Sequence, residues 1–409
     1  MPSFPADKSL DMSDISEMNS RAMLHNSGGS MNAPGAVSLP CEQRLLLLCA
    51  RLALDEQHVA ELRALLQRSL DWGYVLQLAD EHRVISLLYW RLQAIGFAGV
   101  PEDARAALQE QFNETAWNNP RMAYEMLEIV DLFRQHGIPA LPYKGPMLAL
   151  QVYGNLALRQ FIDLDIMIPR QHFAKAKQVL LARGYHPNRD YVTLADEEHI
   201  RTHHDYPFLS QDGEVAVELQ WGVMQVPFVF PRHFERWWGR LRPTSVAGRT
   251  VLGMAPEELL LVLAMHGSKH LWFRLIWICD IAALLHAFPK LDWAVIRRSA
   301  RNAGCLHMLH LALLLAETLL EAQLPAAVSR HAHSDAIANG LAREVCSLLF
   351  AEQDLLANLA ERAPLFYLQM MDRFLDRLWL CAYCYPSLIR PGRMLRLYGL
   401  QPFRYLLGI

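Results

Sequence analysis

The stretch FIDLDIMI, residues 161–168, decides how this chain folds. Acidic and apolar residues alternate strictly along it and Pro169 ends it, a pattern that predicts a β-strand. Residues two apart on a strand share a face, so Asp163 and Asp165 are predicted to point the same way. The other face is apolar and is predicted to point into the core, with Ile162, Leu164, Ile166 and Ile168.

Two aspartates on one face of a strand favour a metal site. Their backbones stand roughly 6–7 Å apart, which lets both carboxylates reach one small ion. Like charges this close disfavour joint ionisation unless a cation neutralises them. Magnesium takes oxygen ligands and keeps positions open for substrate phosphates. The alternative is a half-exposed strand whose two acids do not bind a common ligand.

A second strand is predicted at EVAVELQW, residues 214–221. Its odd-numbered positions are apolar, which leaves Glu214, Glu218 and Gln220 on the other face. If this strand neighbours FIDLDIMI, Glu218 joins the two aspartates on one surface. Three acids from two strands suit a site for two divalent ions. Glu214 could substitute, but it lies beside a turn, where a solvated acid is unremarkable.

A third candidate is LPYKGPMLALQVYG, residues 141–154. A strand that ends in Lys-Gly before a short helix leaves backbone N–H groups at the helix start, where phosphate binds. Gly145 allows close approach, and Lys144 could contact a phosphate oxygen. The alternative is a tight strand–helix turn with a surface lysine.

The apolar periodicity along the chain predicts an α+β protein with helices on both sides of a small mixed sheet. Helical spacing dominates before and after the strands, and the first residues are rich in Ser, Met, Asn and Gly. We therefore predict four regions: a flexible tail at 1–38, an N-terminal helical domain at 39–120, an α/β core at 121–255 and a C-terminal helical domain at 256–409.

Composition limits the function. The 409 residues carry 39 Lys and Arg against 42 Asp and Glu, a net charge of −3. With no general basic field, duplex nucleic acid is not an expected partner. Seven scattered cysteines predict reduced thiols, although Cys381 and Cys384 form one C-x-x-C pair. The sequence lacks the pattern of a signal peptide and any apolar run of about 18 residues, so we expect a cytoplasmic protein without a transmembrane segment.

The order of these motifs resembles the nucleotidyltransferases of the DNA-polymerase-β type. KGPMLAL is followed by Tyr153, Arg159, the two aspartates and GY at 184–185. More narrowly, the chain resembles the bacterial family labelled uncharacterised nucleotidyltransferase, including its helical segments DWGYVLQLADEHRVISLLYWRL and HGSKHLWFRLIWICDIAALL. The resemblance runs from about residue 42 to 300.

This resemblance implies a polymerase-β-like core that moves a nucleoside monophosphate from an NTP, with ATP expected, to an acceptor hydroxyl. The acceptor could be a small molecule, a peptide or a protein. Asp163, Asp165 and Glu218 would be the catalytic acids and would bind two magnesium ions, with manganese as a substitute. The resemblance also implies nucleotide binding by residues in and around the cleft, namely Lys144, Gly145, Arg159, Lys269 and His270.

Two departures from the family pattern matter. The wider superfamily has Gly-Ser in the phosphate loop where this chain has Gly145-Pro146, and the GGS at 28–30 lies far from the aspartates. The family also tends to have Asp and His where this chain has Glu218 and Gln220. An alternative is therefore a nucleotide-binding or antitoxin-like regulatory protein that keeps the fold without turnover.

Histidines and basic residues leave further alternatives open. His266 and His270 share a helix face, but the glutamate of the zinc-protease motif is absent. A zinc hydrolase is the third hypothesis. His199, His203 and His204 are predicted to lie in a solvated loop. The basic C-terminal segment, residues 385–409, is predicted to be a packing helix with a basic outer face.

Overall fold

The structure is a computed structural model, and it describes residues 39–224, 238–351, 363–374, 376 and 377. The described residues from 40 onward form one compact unit. The predicted tail, the Cys381–Cys384 pair and the basic C-terminal segment lie outside the described residues. In the described ranges, no helix is long and apolar enough to cross a membrane.

Helices occupy the first part of the described chain, as the apolar spacing predicts. They are α1 (Cys41–Cys49), α2 (Glu56–Leu66), α3 (Trp72–Glu81), α4 (Ile85–Ala94) and α5 (Glu102–Gln135). Aspartate side chains cap two of them: Asp55 accepts a hydrogen bond from the backbone of His58, and Asp71 from that of Tyr74.

Helix α5 corrects one prediction. The patterns of PEDARAALQEQF, residues 101–112, and RMAYEMLEIVDLFRQHG, residues 121–137, predict two separate helices, whereas the structure has a single helix of 34 residues. Pro120 removes one helical hydrogen bond, but the buried face continues from Leu108 to Met122 and Met126, so packing outweighs that loss. The predicted boundary between residues 120 and 121 falls inside this helix, and the division into domains stays a prediction.

A mixed sheet of five strands forms the centre of the α/β part. The strands are β1 (Leu141–Pro142), β2 (Asp163–Met167), β3 (His186–Pro187), β4 (Asp205–Leu209) and β5 (Ala216–Gln220), in the spatial order β1-β2-β5-β4-β3. Only β2 and β5 pair in parallel, and the other neighbours are antiparallel. The mixed sheet and the strands predicted at residues 161–168 and 214–221 are confirmed.

Short elements connect and extend the sheet. They are α6 (Gly145–Leu148), α7 (Phe173–Ala182), α8 (Asp196–Thr202) and a separate hairpin of β6 (Arg242–Val246) and β7 (Arg249–Gly253). A single π-helical turn, Ala149–Tyr153, follows α6 directly. The chain needs the elements from α7 to β4 because a parallel pair such as β2 and β5 requires a crossover.

One face of the sheet packs on α5 and α7 and forms the core. Leu164, Ile166 and Ile168 of the β2 segment are completely buried there, as predicted. The prediction for Ile162 is wrong, because its side chain is 56% exposed. This residue precedes the first paired residue of β2, so the alternation of the strand does not extend to it.

The remaining described helices pack together after the hairpin. They are α9 (Pro256–Lys269), α10 (Leu275–Ala287), α11 (Trp293–Ala303), α12 (Leu306–Leu320), α13 (Ala326–Ser334) and α14 (Ala336–Leu348), with a further helical stretch at 363–370. Helices α10 and α12 are buried on most sides, which matches their nearly continuous apolar sequence. The described molecule is thus an α+β protein with a small mixed sheet.

Candidate active site

The three predicted acids lie on the sheet face opposite the core. In the parallel pair, Asp165 of β2 stands opposite Glu218 of β5, and Asp163 stands opposite Ala216. All three acids line a cleft of about 170 Å³ whose other wall comes from α9 and α10. Strand alternation and this register together bring the acids into one place.

Lys144 lies against the acids. Its ammonium Nζ is 2.6 Å from Oδ1 of Asp165, and both side chains are less than one-tenth exposed. Burial lowers the pKa of Lys144, but the surrounding acidic groups, Asp165 foremost, together outweigh this and leave the pKa raised, so the side chain stays charged. The prediction of a surface lysine, the alternative to a phosphate contact, is therefore excluded.

Gly145 explains how Lys144 reaches this position. The residue has a positive φ of +50°, which glycine adopts without a steric penalty. A side chain at this position would also meet the backbone oxygen of Asp163 at 3.2 Å. Glycine thus lets the start of α6 lie directly on β2, beside the acids.

Gln220 joins two of the acids through its amide. Its Nε2 donates hydrogen bonds to Oδ1 of Asp165 at 2.7 Å and to Oε2 of Glu218 at 2.8 Å. The hydroxyl of buried Tyr143 donates to the amide oxygen of Gln220. Because that oxygen is engaged, the NH₂ group must face the carboxylates.

Burial and mutual repulsion oppose full ionisation of the two aspartates. Burial raises the pKa of Asp163 to about 8, with the charges of Asp165 and Glu218 adding to the effect. Burial also raises the pKa of Asp165, although Lys144 opposes it. A carboxyl group shifted in this way favours either a proton or a cation at the site.

These residues fit a magnesium ion in donor chemistry. Buried Asp165 and half-buried Asp163 and Glu218 offer the hard oxygen ligands that magnesium prefers, and burial with the charges of the other two acids raises the pKa of Asp163. As placed, no three His, Cys, Asp or Glu side chains in the described ranges form a ready metal cluster. Lys144 and Gln220 hold oxygens of Asp165 and Glu218 that an ion would use.

Arg159 lies in the cleft but is tied to the helical wall. Its guanidinium makes two hydrogen bonds of 2.8 Å to the carboxylate of Asp280 on α10, which also accepts one from Tyr153. The buried side chain of Asn119 donates to the backbone oxygens of Leu156 and Arg159. This network fixes the segment that leads into β2.

Lys269 and His270 also line the cleft, at the end of α9. Nζ of Lys269 donates to Nε2 of His204 at 2.9 Å. Burial and the Lys269 charge lower the pKa of His204 well below its usual value, so this imidazole is neutral. The ring of His270 stacks on Trp277 with centroids 5.0 Å apart.

The predicted solvated loop around His199, His203 and His204 is wrong. All three side chains are buried, and the first two line the cleft with their rings stacked 4.1 Å apart. Helix α8 carries His199, and β4 begins directly after His204. The sequence shows only a polar cluster, because it does not reveal the stacking of His199 on His203 or the contact of His204 with Lys269 on the distant helix α9.

Sequence reasoning also missed two residues at the site. Tyr143 immediately precedes the Lys-Gly pair, but nothing in the sequence links it to Gln220, which lies 77 residues away. Arg83 lines the cleft from the turn after α3, a region that the sequence identifies only as helical. The sequence signal that could have identified Arg83 is its position in the segment that resembles the N-terminal region of the family.

The small mixed sheet, the converging acids and the cationic cleft are consistent with a nucleotidyltransferase. A family model described as "Uncharacterised nucleotidyltransferase" matches residues 68–321, more than half of the chain. The chain belongs to this family. Comparisons with curated proteins and with solved structures gave no match.

Proposed function

We propose that the protein transfers a nucleoside monophosphate from an NTP to an acceptor hydroxyl and releases pyrophosphate. The observation that carries this proposal is the convergence of Asp163, Asp165 and Glu218 on one face of β2 and β5, inside a cleft with several cations. Family membership supports the same reaction class.

Asp163, Asp165 and Glu218 would hold divalent metal, magnesium first and manganese as a substitute. When bound, such ions supply positive charge to the reacting phosphate and help activate the acceptor oxygen. Lys144 and Gln220 have a separate task, which is to hold Asp165 and Glu218 in a fixed orientation before the substrate arrives. Fixed orientation reduces the reorganisation that the reaction requires.

In the proposed reaction, the acceptor hydroxyl oxygen attacks the α-phosphorus in line with the leaving group. The new oxygen–phosphorus bond forms as the bond from the α-phosphorus to the oxygen bridging to the β-phosphorus breaks. An Oε atom of Glu218 takes the hydroxyl proton, or this residue serves as a ligand on the acceptor side. Pyrophosphate leaves with the displaced bridging oxygen.

The other wall of the cleft would bind the nucleotide. Lys269 and His270 lie at the end of α9 within the cleft, and Trp277 offers an aromatic surface beside them. Arg159 contributes positive charge while Asp280 holds it in place. We expect ATP as the nucleotide, and a hydroxyl of a small molecule, peptide or protein as the acceptor.

The test uses purified protein with magnesium or manganese and each of the four α-labelled NTPs. Label transfer is followed to the protein and to a cell extract, with the double variant Asp163→Ala/Asp165→Ala as control. We expect label on an acceptor with one NTP, and its loss in the double variant. Transfer that persists in the variant would contradict the proposal.

The bonds from Lys144 and Gln220 to the acids favour a second candidate function. These side chains already take up carboxylate oxygens, as expected for a nucleotide-binding regulatory protein without turnover. In that case NTP binds in a metal-dependent manner, and no pyrophosphate appears with any acceptor. The labelling experiment separates the two functions.

A further inference from the structure

Two arginines from distant parts of the sequence lie in the same cleft as the acids. Arg83 follows the end of α3, and Arg274 precedes the start of α10. The residue between α3 and Arg83, His82, makes direct contacts with the start of α10. The arrangement of this junction determines where both cations lie.

His82 caps the first turn of α10. Its Nδ1 accepts a hydrogen bond from the backbone N–H of Leu275 at 3.1 Å, and its backbone oxygen accepts one from Ile276 at 3.2 Å. The first N–H groups of a helix have no partner within the helix, so this contact satisfies two of them. Arg83 follows His82 in the chain and Arg274 precedes Leu275. The contact between His82 and Leu275 therefore fixes the backbone next to both arginines.

The backbone at Arg83 is strained. Its φ is +58°, in the left-handed region that glycine usually occupies at the end of a helix. The backbone bonds of Arg83 to Asp80 and of Val84 to Ala79 close the turn in the manner of a Schellman motif. An arginine in this strained conformation at the edge of a cleft is consistent with a functional use of its side chain.

Protein carboxylates do little to neutralise the two arginines. Arg83 approaches Asp80 only to 3.8 Å, and that pair is partly exposed. Arg274 lies over the ring of Trp277 at 6.0 Å, and no acidic side chain of the described chain forms an ion pair with it. Burial and the charge of Arg83 lower the pKa of Arg274 by more than the charges of Asp80 and Asp163 raise it. Two cations placed together in this way favour an anionic ligand.

Three other cations of the cleft already have partners. Lys144 binds Asp165, Arg159 binds Asp280, and Lys269 donates to His204. Among the described residues, Arg83 and Arg274 are therefore better placed to receive a polyphosphate. A guanidinium presents paired donors that match phosphate oxygens.

We propose that Arg83 and Arg274 form the subsite for the β- and γ-phosphates of the NTP. The inference rests on the proposed function, because it assigns a place to the leaving pyrophosphate of that reaction. Negative charge on the pyrophosphate grows as the bond to the α-phosphorus breaks. The arginine contacts strengthen with it and stabilise the transition state more than the bound substrate.

The test measures binding of inorganic tripolyphosphate to the full chain by calorimetry, with and without magnesium. The variants are Arg83→Gln and Arg274→Gln, and the control is Arg63→Gln on the exposed face of α2. We expect each cleft variant to weaken binding about tenfold or more, as loss of a charged hydrogen bond would. The control should bind as the wild type does. Equal binding in all variants, or none in the wild type under either condition, would overturn the subsite.

Arg83→Gly separates binding from folding. Glycine relieves the backbone strain at φ +58°, so this variant should melt at a higher temperature than the wild type. It should nevertheless bind tripolyphosphate about tenfold more weakly. If Arg83 had only a structural role, its substitution would not both raise the melting temperature and weaken tripolyphosphate binding. A variant that binds normally would contradict the proposal.

The two proposals can fail separately. The binding measurements contain neither nucleotide nor acceptor, so weak binding by the arginine variants supports the subsite even without nucleotidyl transfer. That outcome would refute the proposed function alone. Transfer that proceeds with an unchanged KM for NTP in Arg83→Gln and Arg274→Gln would refute the subsite alone.

Discussion

At the scale of single residues, Tyr143 and Gln220 orient the acids. The hydroxyl of Tyr143 fixes the amide of Gln220, and that amide holds Asp165 and Glu218. The amide donates to both carboxylates through one NH₂ group, which fixes the two acids relative to each other.

Tyr143→Phe tests this arrangement. Removal of the hydroxyl leaves the amide oxygen of Gln220 without its donor, which costs about 1–3 kcal/mol for a buried group and frees the amide to turn. We expect transfer activity to fall about tenfold, and half-maximal activity to need more magnesium. Steady-state kinetics at several magnesium concentrations measure both effects.

The control is Tyr89→Phe, a change at another buried tyrosine that stacks on Phe112 and does not line the cleft. Its magnesium dependence should match that of the wild type. The account of Tyr143 is wrong if both tyrosine variants lose activity equally and keep the same magnesium dependence.

Gly145 supports the site through its backbone. We expect Gly145→Ala to destabilise the fold by about 1–2 kcal/mol for the positive φ. Contact with the Asp163 oxygen at 3.2 Å should add further cost and move the strand that carries the acids. Thermal unfolding and transfer activity are the measurements.

Gly137→Ala is the matched control. Gly137 also has a positive φ, of +65°, but a side chain there meets nothing within 4 Å. This variant should show the backbone cost alone and full activity. Equal loss of activity in both variants would contradict the role given to the contact between Gly145 and Asp163.

At the scale of elements, the junction of α3 and α10 depends on a neutral histidine. Burial, with the nearby charge of Arg274, lowers the pKa of His82 to about 4. Between about pH 4 and 6.5 the unfolded chain binds a proton here that the folded chain does not. The folded protein should therefore lose up to about 3 kcal/mol of stability through His82 as the pH falls across this range.

His82→Asn tests the sign of this effect. Asparagine keeps an acceptor near the position of Nδ1 for Leu275 but cannot be protonated. The difference in melting temperature between pH 7 and pH 4.5 should be smaller in the variant than in the wild type. If acid lowers the melting temperature equally in both proteins, His82 does not titrate as described.

At the scale of the whole molecule, the sheet and its acids were more predictable than the cleft. The alternation in residues 161–168 and 214–221 predicts both strands and the shared face of Asp163, Asp165 and Glu218, because strand periodicity is local. The register between the strands depends on contacts between distant segments. The sequence therefore predicts a shared site only if the two strands are neighbours in the sheet. In helix α5 the local signal is misleading. Pro120 predicts a break, but packing of the buried face keeps the helix continuous.

The second wall of the cleft could not be derived in this way. Burial of His199, His203 and His204, and the meeting of Arg83 with Arg274, depend on contacts between elements far apart in the chain. The apolar periodicity of the sequence does not predict such contacts. Family resemblance placed Lys269 and His270 near the nucleotide, and the structure brings both into the cleft, while their contact with NTP stays a prediction.

The most direct test compares NTP labelled at the α-phosphate with the same NTP labelled at the γ-phosphate. Wild-type protein and Asp165→Asn are incubated with each, and label is followed into acceptor and pyrophosphate. We expect α-label on the acceptor and γ-label only in pyrophosphate with the wild type, and neither product with Asp165→Asn. Transfer of the γ-label to the acceptor, or α-label transfer unchanged in Asp165→Asn, would contradict it.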